Sequence, residues 1–305
     1  MKVAVLSGKG GAGKTMVAVN LAVTAGNAVY IDCDVEEPNG RLFLKPEHVT
    51  ETPVCTRLPK FDGDRCSGCR ACVDFCRFHA LVYIKGVPKL FADVCHSCGG
   101  CMLVCPEQAI SEMDSPVGHI EQGHHGPLQV ITGVLNTGEA SGVPVIHSAL
   151  KAGFAAAQTA TLSAEGSAVD DVTSSAEGSA TDGFPLTIID CPPGSACSVM
   201  ESIADADCCL LVAEPTAFGF HNFRMVWELA TLLGKPCGVI INKMDAPFEP
   251  LESFCREQKL PVLMRISFSQ KLARLAAEGG IPVESDPEFA ADFAELLEKI
   301  GGVIQ

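Results

Sequence analysis

The sequence predicts a doubly wound, mainly parallel α/β sheet with an inserted cysteine-rich domain. Short apolar runs alternate with helix-length segments along most of the 305 residues, as in a parallel sheet covered by helices. A glycine-rich stretch at residues 8–15 joins the first apolar run to the first helix. Half of the 16 cysteines fall into two tight runs. We therefore expect one α/β domain in two parts, 1–58 and 116–305, interrupted by a metal-binding domain at 59–115.

The composition narrows the class of protein. An apolar content of 47% is sufficient for a substantial core. The formal net charge of −15 disfavours a nucleic-acid-binding surface and a polybasic membrane patch. No apolar run approaches the roughly 20 residues of a membrane span, and no signal peptide opens the chain. We expect a cytoplasmic protein without nucleic-acid or membrane partners, in which clustered cysteines bind metal rather than form disulfides.

Residues 8–15 (GKGGAGKT) match the phosphate-binding pattern G-x-x-x-x-G-K-[ST]. A predicted strand at 2–7 precedes the loop, and a predicted helix at 16–25 follows it. Loop N–H groups and the helix N-terminus together favour bound anions. Lys14 is expected to reach the β- and γ-phosphates, and the Thr15 hydroxyl to hold Mg²⁺. The expected nucleotide contacts are Gly8, Gly10, Gly11, Ala12, Gly13, Lys14 and Thr15.

Acidic residues follow two further apolar runs. Residues 28–31 end in Asp32-Cys33-Asp34, and residues 186–189 end in Asp190. Because the carboxyl ends of parallel strands meet at one edge of a sheet, these carboxylates should lie beside the phosphate loop. Asp190 is a candidate for holding a Mg²⁺-bound water. The pattern predicts metal and water chemistry at this edge.

The two cysteine runs have the spacing of bacterial two-cluster ferredoxins, and the second run ends in Cys-Pro. Three cysteines spaced by two residues can hold three corners of one cubane, while the fourth points to the other cluster. One [4Fe–4S] cluster is thus expected on Cys66, Cys69, Cys72 and Cys105, and the other on Cys95, Cys98, Cys101 and Cys76. A pair of zinc sites is the alternative, although zinc sites usually draw four ligands from two C-x₂-C pairs.

Residues around and after the cysteine runs are less specific. Arg65, Arg70 and Arg77 are either solvated surface or groups that raise a cluster potential or dock an acidic electron partner. His119, His124 and His125 are expected in an exposed loop rather than a metal site. Residues 160–183 contain the repeat SAEGSA and few large apolar side chains, which predicts a flexible surface insertion without chemistry.

Lys9 inside the phosphate loop, the Asp32-x-Asp34 pair and the Pro-Pro-Gly that ends at Gly194 resemble the MinD/Mrp-type ATPases with a deviant Walker A loop. This resemblance implies that Lys9 reaches the phosphates of a second subunit across a nucleotide-sandwich dimer. It further implies that Asp34, with Asp32 as second choice, orients the attacking water. The Gly194 N–H would contact the γ-phosphate.

The same resemblance bears on two further residues. Asn242 opens an Asn-Lys-x-Asp sequence after a predicted strand at 237–241, and in this family the Asn contacts adenine. Cys197 lies near the place where the related nitrogenase iron protein holds a cluster between two subunits, but one Cys per subunit gives only two ligands. We expect Cys197 to be a small packed residue.

Taken together, the motifs predict an ATPase that binds ATP or ADP, Mg²⁺ and two [4Fe–4S] clusters. The resemblance implies a homodimer, or a heterodimer with a paralogous ATPase. The expected function couples the nucleotide state to electron transfer, or to metal or Fe–S cofactor assembly, on a redox or cofactor-carrying partner protein. The first alternative is a MinD/ParA-like spatial-organising ATPase, with the ferredoxin as a redox sensor or docking module. The second alternative is a ferredoxin for which the nucleotide is only a structural ligand.

Overall fold

The computed structural model describes residues 1–165 and 185–303 as one large sheet with helices on both faces, together with a small hairpin. The strands in these ranges are β1 (Lys2–Leu6), β2 (Ala28–Asp32), β3 (Glu47–Phe61), β4 (Leu81–Ile84), β5 (Val87–Leu90), β6 (Ile110–His125), β7 (Leu128–Leu135), β8 (Leu186–Asp190), β9 (Cys208–Ala213), β10 (Cys237–Met244) and β11 (Val262–Ser267). The helices are α1 (Lys14–Ala25), α2 (Gly40–Leu44), α3 (Ala71–Phe75), α4 (Gly100–Leu103), α5 (Val143–Glu165), α6 (Cys197–Ile203), α7 (Ala217–Leu232), α8 (Glu249–Glu257), α9 (Gln270–Ala277), α10 (Pro282–Ser285) and α11 (Pro287–Gly301).

The large sheet has the strand order β11-β10-β9-β1-β8-β2-β7-β6-β3. From β11 to β7 all neighbouring strands are parallel, whereas β6 and β3 run antiparallel to their neighbours. This arrangement confirms the predicted mainly parallel α/β fold. The carboxyl ends of β1, β2 and β8 are adjacent, so the segments that follow these strands meet at one edge.

Apolar strands explain why the sheet is covered on both sides. The strands β1, β8 and β9 are buried almost throughout, as expected for parallel strands with helices on each face. One core cluster includes Ile31 and Ile189 with residues of α5, and the other includes Val5 and Ile188 with residues of α1 and α11. Among the described helices, none has the length and apolar content needed to cross a bilayer.

A long two-stranded ribbon carries the cysteine-rich segment. Strands β3 and β6 are 15 and 16 residues long, and their pairing runs as far as Phe61 opposite Ile110. Strand β7 stops at Leu135, opposite Gly118 of β6. Since β7 is parallel to β2, the remaining seven ribbon pairs continue past the carboxyl edge of the sheet, for roughly 20 Å at the usual strand rise. The cysteine-rich segment is thus held beyond the edge that carries the phosphate loop.

Three local expectations can be compared with the structure. The hairpin β4–β5 with Gly86 at its turn is confirmed. The exposed loop expected around His119 to His125 is wrong, because these histidines lie on β6, where ladder hydrogen bonds override the polar composition. Helix α5 continues to Glu165, so the first residues of the predicted insertion 160–183 are helical; residues 166–183 lie outside the described residues.

Candidate functional site

The phosphate loop is fixed by backbone geometry and by two side chains from the end of β10. Gly13 has a φ of 95°, and a Cβ there would approach Asn242 Nδ2 to 2.1 Å, so the position demands glycine. The Asn242 amide donates to the Ala12 carbonyl oxygen at 2.8 Å, and Lys243 Nζ donates to the Gly11 carbonyl oxygen at 2.6 Å. Asn242 therefore stabilises the loop backbone through this hydrogen bond. Its contact with adenine stays a prediction.

Lys14 is held by carboxylates. Its Nζ lies 2.5 Å from Asp190 Oδ1 and 3.6 Å from Asp34 Oδ2, and its side chain is only 6% exposed. Burial by itself would lower the pKa of Lys14, but the neighbouring carboxylates, Asp190 foremost, raise the pKa above its usual value. The lysine thus stays charged in this setting, with Asp190 as its principal partner.

The two aspartates after β2 differ in environment. Asp32 is fully buried and accepts hydrogen bonds from the backbone N–H groups of Asp34 and Gly40. Burial, with the charge of Asp190, raises the pKa of Asp32 to about 8. Asp34 is partly exposed, and burial raises its pKa to about 6 against the opposing effect of Lys14. Asp34 is therefore the carboxylate that is both accessible and ionised at neutral pH.

Tyr30 is a member of this network that the sequence analysis missed. It lies in β2, is fully buried, and donates from its hydroxyl to Asp190 Oδ2 at 2.9 Å. Burial and the charges of Asp190 and Asp32 raise the pKa of Tyr30 well above its usual value, so the hydroxyl remains a donor. The sequence did contain one indication of this role, a tyrosine within an apolar strand. A buried phenolic hydroxyl usually has a hydrogen-bond partner, so such a tyrosine is expected to contact a polar group.

Lys9 and Gly194 have partners within the chain. The Lys9 ammonium forms an ion pair with Glu214, which follows β9, and lies 5.5 Å from the ring centroid of Phe218. The Gly194 N–H donates to the Ser7 carbonyl oxygen at 3.0 Å. Contact of either residue with a nucleotide would require these interactions to open. Glu214 and Phe218 were not predicted, because neither belongs to a motif.

A cavity of about 650 Å³ lies in front of the loop. It is large enough for a nucleotide-sized ligand. Predicted site residues line it together with the segments after β2 and β8: Gly10, Gly11, Gly13, Lys14, Thr15, Asp34, Glu36, Glu37 and Pro193. The strand ends thus bring the phosphate loop and the acidic segments to one opening.

The cysteines of the two runs line two cavities. A cavity of about 20 Å³ is lined by Cys66, Cys69, Cys72 and Cys105, and a cavity of about 220 Å³ by Cys76, Cys95, Cys98 and Cys101. In each, the fourth cysteine comes from the other run. Burial raises the pKa of Cys101 to about 11, so loading a metal group there would release protons. Among the described residues, no three of these sulfurs lie within 4.8 Å of one another, whereas a tetrahedral zinc ion with Zn–S bonds of about 2.3 Å needs sulfurs about 4 Å apart. The donor set and its spacing therefore fit an iron–sulfur cluster better than a single zinc ion.

The arginines divide between the two cavities. Arg70 lines the smaller one and lies over the Tyr83 ring at 5.6 Å, and Arg65 donates to the Glu107 carbonyl oxygen at 3.3 Å. Arg77 lines the larger cavity, beside a stacked pair of Phe78 and His96 rings with centroids 3.8 Å apart. Each cavity thus has one of these arginines among its lining residues.

The remaining candidates lie elsewhere. Cys197 begins α6 and is exposed, so the expectation of a packed residue is wrong; a residue at the first turn of a short helix faces solvent on one side.

His119 lies near two carboxylates, with ligand atoms of Glu51, His119 and Glu121 within 4.8 Å of one another. However, Arg41 Nη1 is 2.6 Å from Glu121 Oε1 and already balances that carboxylate.

A family model, sequence relatives and solved structures of other proteins are similar to this chain over most of its length. Residues 3–283 match the model of the CobQ/CobB/MinD/ParA nucleotide binding domain. The uncharacterized protein MJ0578 of Methanocaldococcus jannaschii is 27% identical over 98% of this chain and 96% of its own length. The cell division ATPase MinD of Pyrococcus furiosus shares the fold, with a TM-score of 0.55 at 18% identity over 99% of this chain and 98% of its own.

The septum site-determining protein MinD of Pyrococcus horikoshii, solved with Mg-ADP, has a TM-score of 0.53 at 18% identity and covers 98% of this chain and 95% of its own. At these identities, the solved structures support the fold alone. The family model, in contrast, spans nearly the whole chain, including the phosphate loop and Asp190. The protein therefore belongs to the CobQ/CobB/MinD/ParA family of P-loop nucleotide-binding proteins.

Proposed function

We propose that this protein binds and hydrolyses MgATP and couples its nucleotide state to a two-cluster ferredoxin module. The nucleotide part is supported by Lys14 and Asp34, which line a nucleotide-sized cavity, by the buried Asp190 paired with Lys14, and by the Mg-ADP held in a MinD of the same fold. The Thr15 hydroxyl and, through water, Asp190 would hold Mg²⁺, which neutralises phosphate charge. A phosphate would replace Asp190 as the partner of Lys14.

Asp34 is proposed to orient the attacking water, which gives a pH dependence. With a pKa raised to about 6, Asp34 is ionised above pH 6 and loses its charge below it. We expect kcat/KM for MgATP to fall about tenfold per unit as the pH drops below 6, since that profile reports groups of the free enzyme. Asp34→Asn should have low activity and no such acidic limb. Glu257→Gln, which removes an exposed carboxylate on α8 away from the cavity, should keep both the activity and the acidic limb of the wild-type protein.

The ferredoxin part is carried by one observation: each cavity is lined by the four cysteines of one predicted set, three from one run and one from the other. Two [4Fe–4S] clusters bound there would supply one-electron transfer. The ribbon of β3 and β6 joins this module to the carboxyl edge where Asp34 and Asp190 lie. We propose that ATP binding closes a homodimer or heterodimer through Lys9 and so changes how the module meets a redox or cofactor-carrying partner protein.

The test is the effect of nucleotide on cluster potential. Coupling is reciprocal, so a nucleotide that prefers the reduced state tenfold must raise the potential of a one-electron couple by about 60 mV. We expect anaerobic titrations with MgATP, MgADP and no nucleotide to give different potentials, and the difference to vanish in Lys14→Ala. Identical potentials and identical reduction of an artificial acceptor in all three states would exclude coupled electron transfer.

A second candidate is a spatial-organising ATPase in which the ferredoxin is a redox sensor or docking module. The comparisons fit this candidate better, since the solved structures of the same fold are a cell division ATPase and a septum site-determining protein. The cysteine cavities favour the first candidate. An ATP-dependent cellular distribution that is lost in Lys14→Ala, together with nucleotide-independent cluster potentials, would support the second.

A further inference from the structure

We propose that Tyr30 is the positioning residue for the Asp190 carboxylate, a role that rests on the proposed binding of Mg-nucleotide. Both oxygens of Asp190 are engaged: Lys14 Nζ lies 2.5 Å from Oδ1, and the Tyr30 hydroxyl donates to Oδ2 at 2.9 Å. Asp190 has no exposed surface, so neither oxygen can turn to solvent for a substitute partner. The orientation of the carboxylate is therefore set by these two side chains.

The hydroxyl of Tyr30 is not needed to fill the core. Its cross-strand neighbours are Ile188 in β8 and Val130 in β7, both aliphatic, so the phenylalanine ring would satisfy the packing. The oxygen is instead enclosed by functional segments. A Cβ on Gly40, at the start of α2, would approach the Tyr30 hydroxyl oxygen to 2.1 Å, and the Gly40 N–H is 2.9 Å from Asp32 Oδ2. Tyr30 thus contacts Gly40 in the segment after β2 and Asp190, the last residue of β8.

Nucleotide binding would break one of the two contacts on Asp190 and leave the other in place. Lys14 must leave Oδ1 to reach a phosphate, whereas Tyr30, inside the core, has no reason to leave Oδ2. The remaining bond would hold the carboxylate in its present orientation, so that Oδ1, once released by Lys14, could accept a hydrogen bond from a Mg²⁺-bound water. Without the hydroxyl, one buried carboxylate oxygen loses its donor and the carboxylate is free to rotate.

The test is Tyr30→Phe, which removes one oxygen and keeps the ring. The probe is a fluorescent ADP titrated with and without Mg²⁺. We expect the affinity without metal to be unchanged, the Mg²⁺ enhancement of affinity to fall about tenfold, and kcat for ATP to fall by a similar factor, the scale of a hydrogen bond to a charged group. The matched control is Tyr83→Phe, which removes an exposed hydroxyl bonded to the Gly86 carbonyl oxygen and should change none of these.

A double-mutant cycle separates positioning from a structural effect. In an Asp190→Asn background, Tyr30→Phe should no longer alter the Mg²⁺ enhancement. The proposal is overturned if Tyr30→Phe keeps the wild-type enhancement, or if it weakens ADP binding equally with and without Mg²⁺. If the wild-type protein does not hydrolyse ATP, the proposed function fails, but the Mg²⁺ dependence of ADP binding still decides the role of Tyr30.

Discussion

Lys14→Ala is expected to reduce ATP hydrolysis by about 100- to 1000-fold, the usual cost of removing a single group that stabilises transition-state charge. Lys14 is the loop lysine of the motif and lies at the cavity beside Asp34 and Asp190. No other lysine lines that cavity within the described residues. The measurement is the steady-state release of phosphate from MgATP, alongside the affinity for fluorescent ATP.

A folding control is needed because Lys14 also compensates a buried charge. Its removal leaves Asp190 buried without a cation, a loss that commonly costs about 3–5 kcal/mol of stability. The double variant Lys14→Ala/Asp190→Asn removes both charges and should recover most of this loss without recovering hydrolysis. Full hydrolysis by the single variant would contradict the assignment of the nucleotide site.

Lys9→Ala provides the contrast within the same loop. Lys9 is partly exposed and paired with Glu214 rather than held among the aspartates. If Lys9 acts across a dimer, its alanine variant should still bind nucleotide in the monomer, while hydrolysis and ATP-dependent dimerisation are lost together. Wild-type hydrolysis by Lys9→Ala would exclude the sandwich-dimer mechanism.

Cys105→Ala and Cys76→Ala should each remove one of the two clusters, because each predicted set takes its fourth cysteine from the other run. Cys105→Ala should abolish the cluster that it shares with Cys66, although Cys105 belongs to the second run. Anaerobically purified wild-type protein should contain about eight iron and eight acid-labile sulfide per chain, and the variant about four of each. Cys76→Ala should also give about four, through loss of the other cluster.

The control for the cysteine variants is Cys55→Ala. Cys55 is exposed on β3 and lies outside both runs, so its removal should leave iron and sulfide unchanged. The double variant Cys76→Ala/Cys105→Ala should have neither cluster. Stoichiometric zinc without sulfide in the wild-type protein would overturn the iron–sulfur assignment.

The sequence by itself determined the features that depend on local pattern. Strand and helix alternation predicted the α/β sheet, and the resemblance carried by Lys9, Asp34 and the Pro-Pro-Gly that ends at Gly194 predicted the MinD/ParA part of the family assignment. Cysteine spacing predicted two sets of four ligands, which stay a prediction, and the four cysteines of each set line one cavity. The strand, helix and loop predictions depend on residues a few positions apart, whereas the cysteine sets depend on two short spacing patterns and on the known way in which such runs share two clusters.

Only the tertiary structure decided the features that join distant segments. The ribbon was not foreseen, because β3 and β6 are separated by the cysteine-rich segment and their polar faces do not give a clear strand signal. The role of Tyr30 could not be predicted from the sequence either, because its partner, Asp190, lies 160 residues away. The pairing of Lys9 with Glu214 is likewise long-range. Such contacts follow from the strand order, and no local pattern of residues encodes that order.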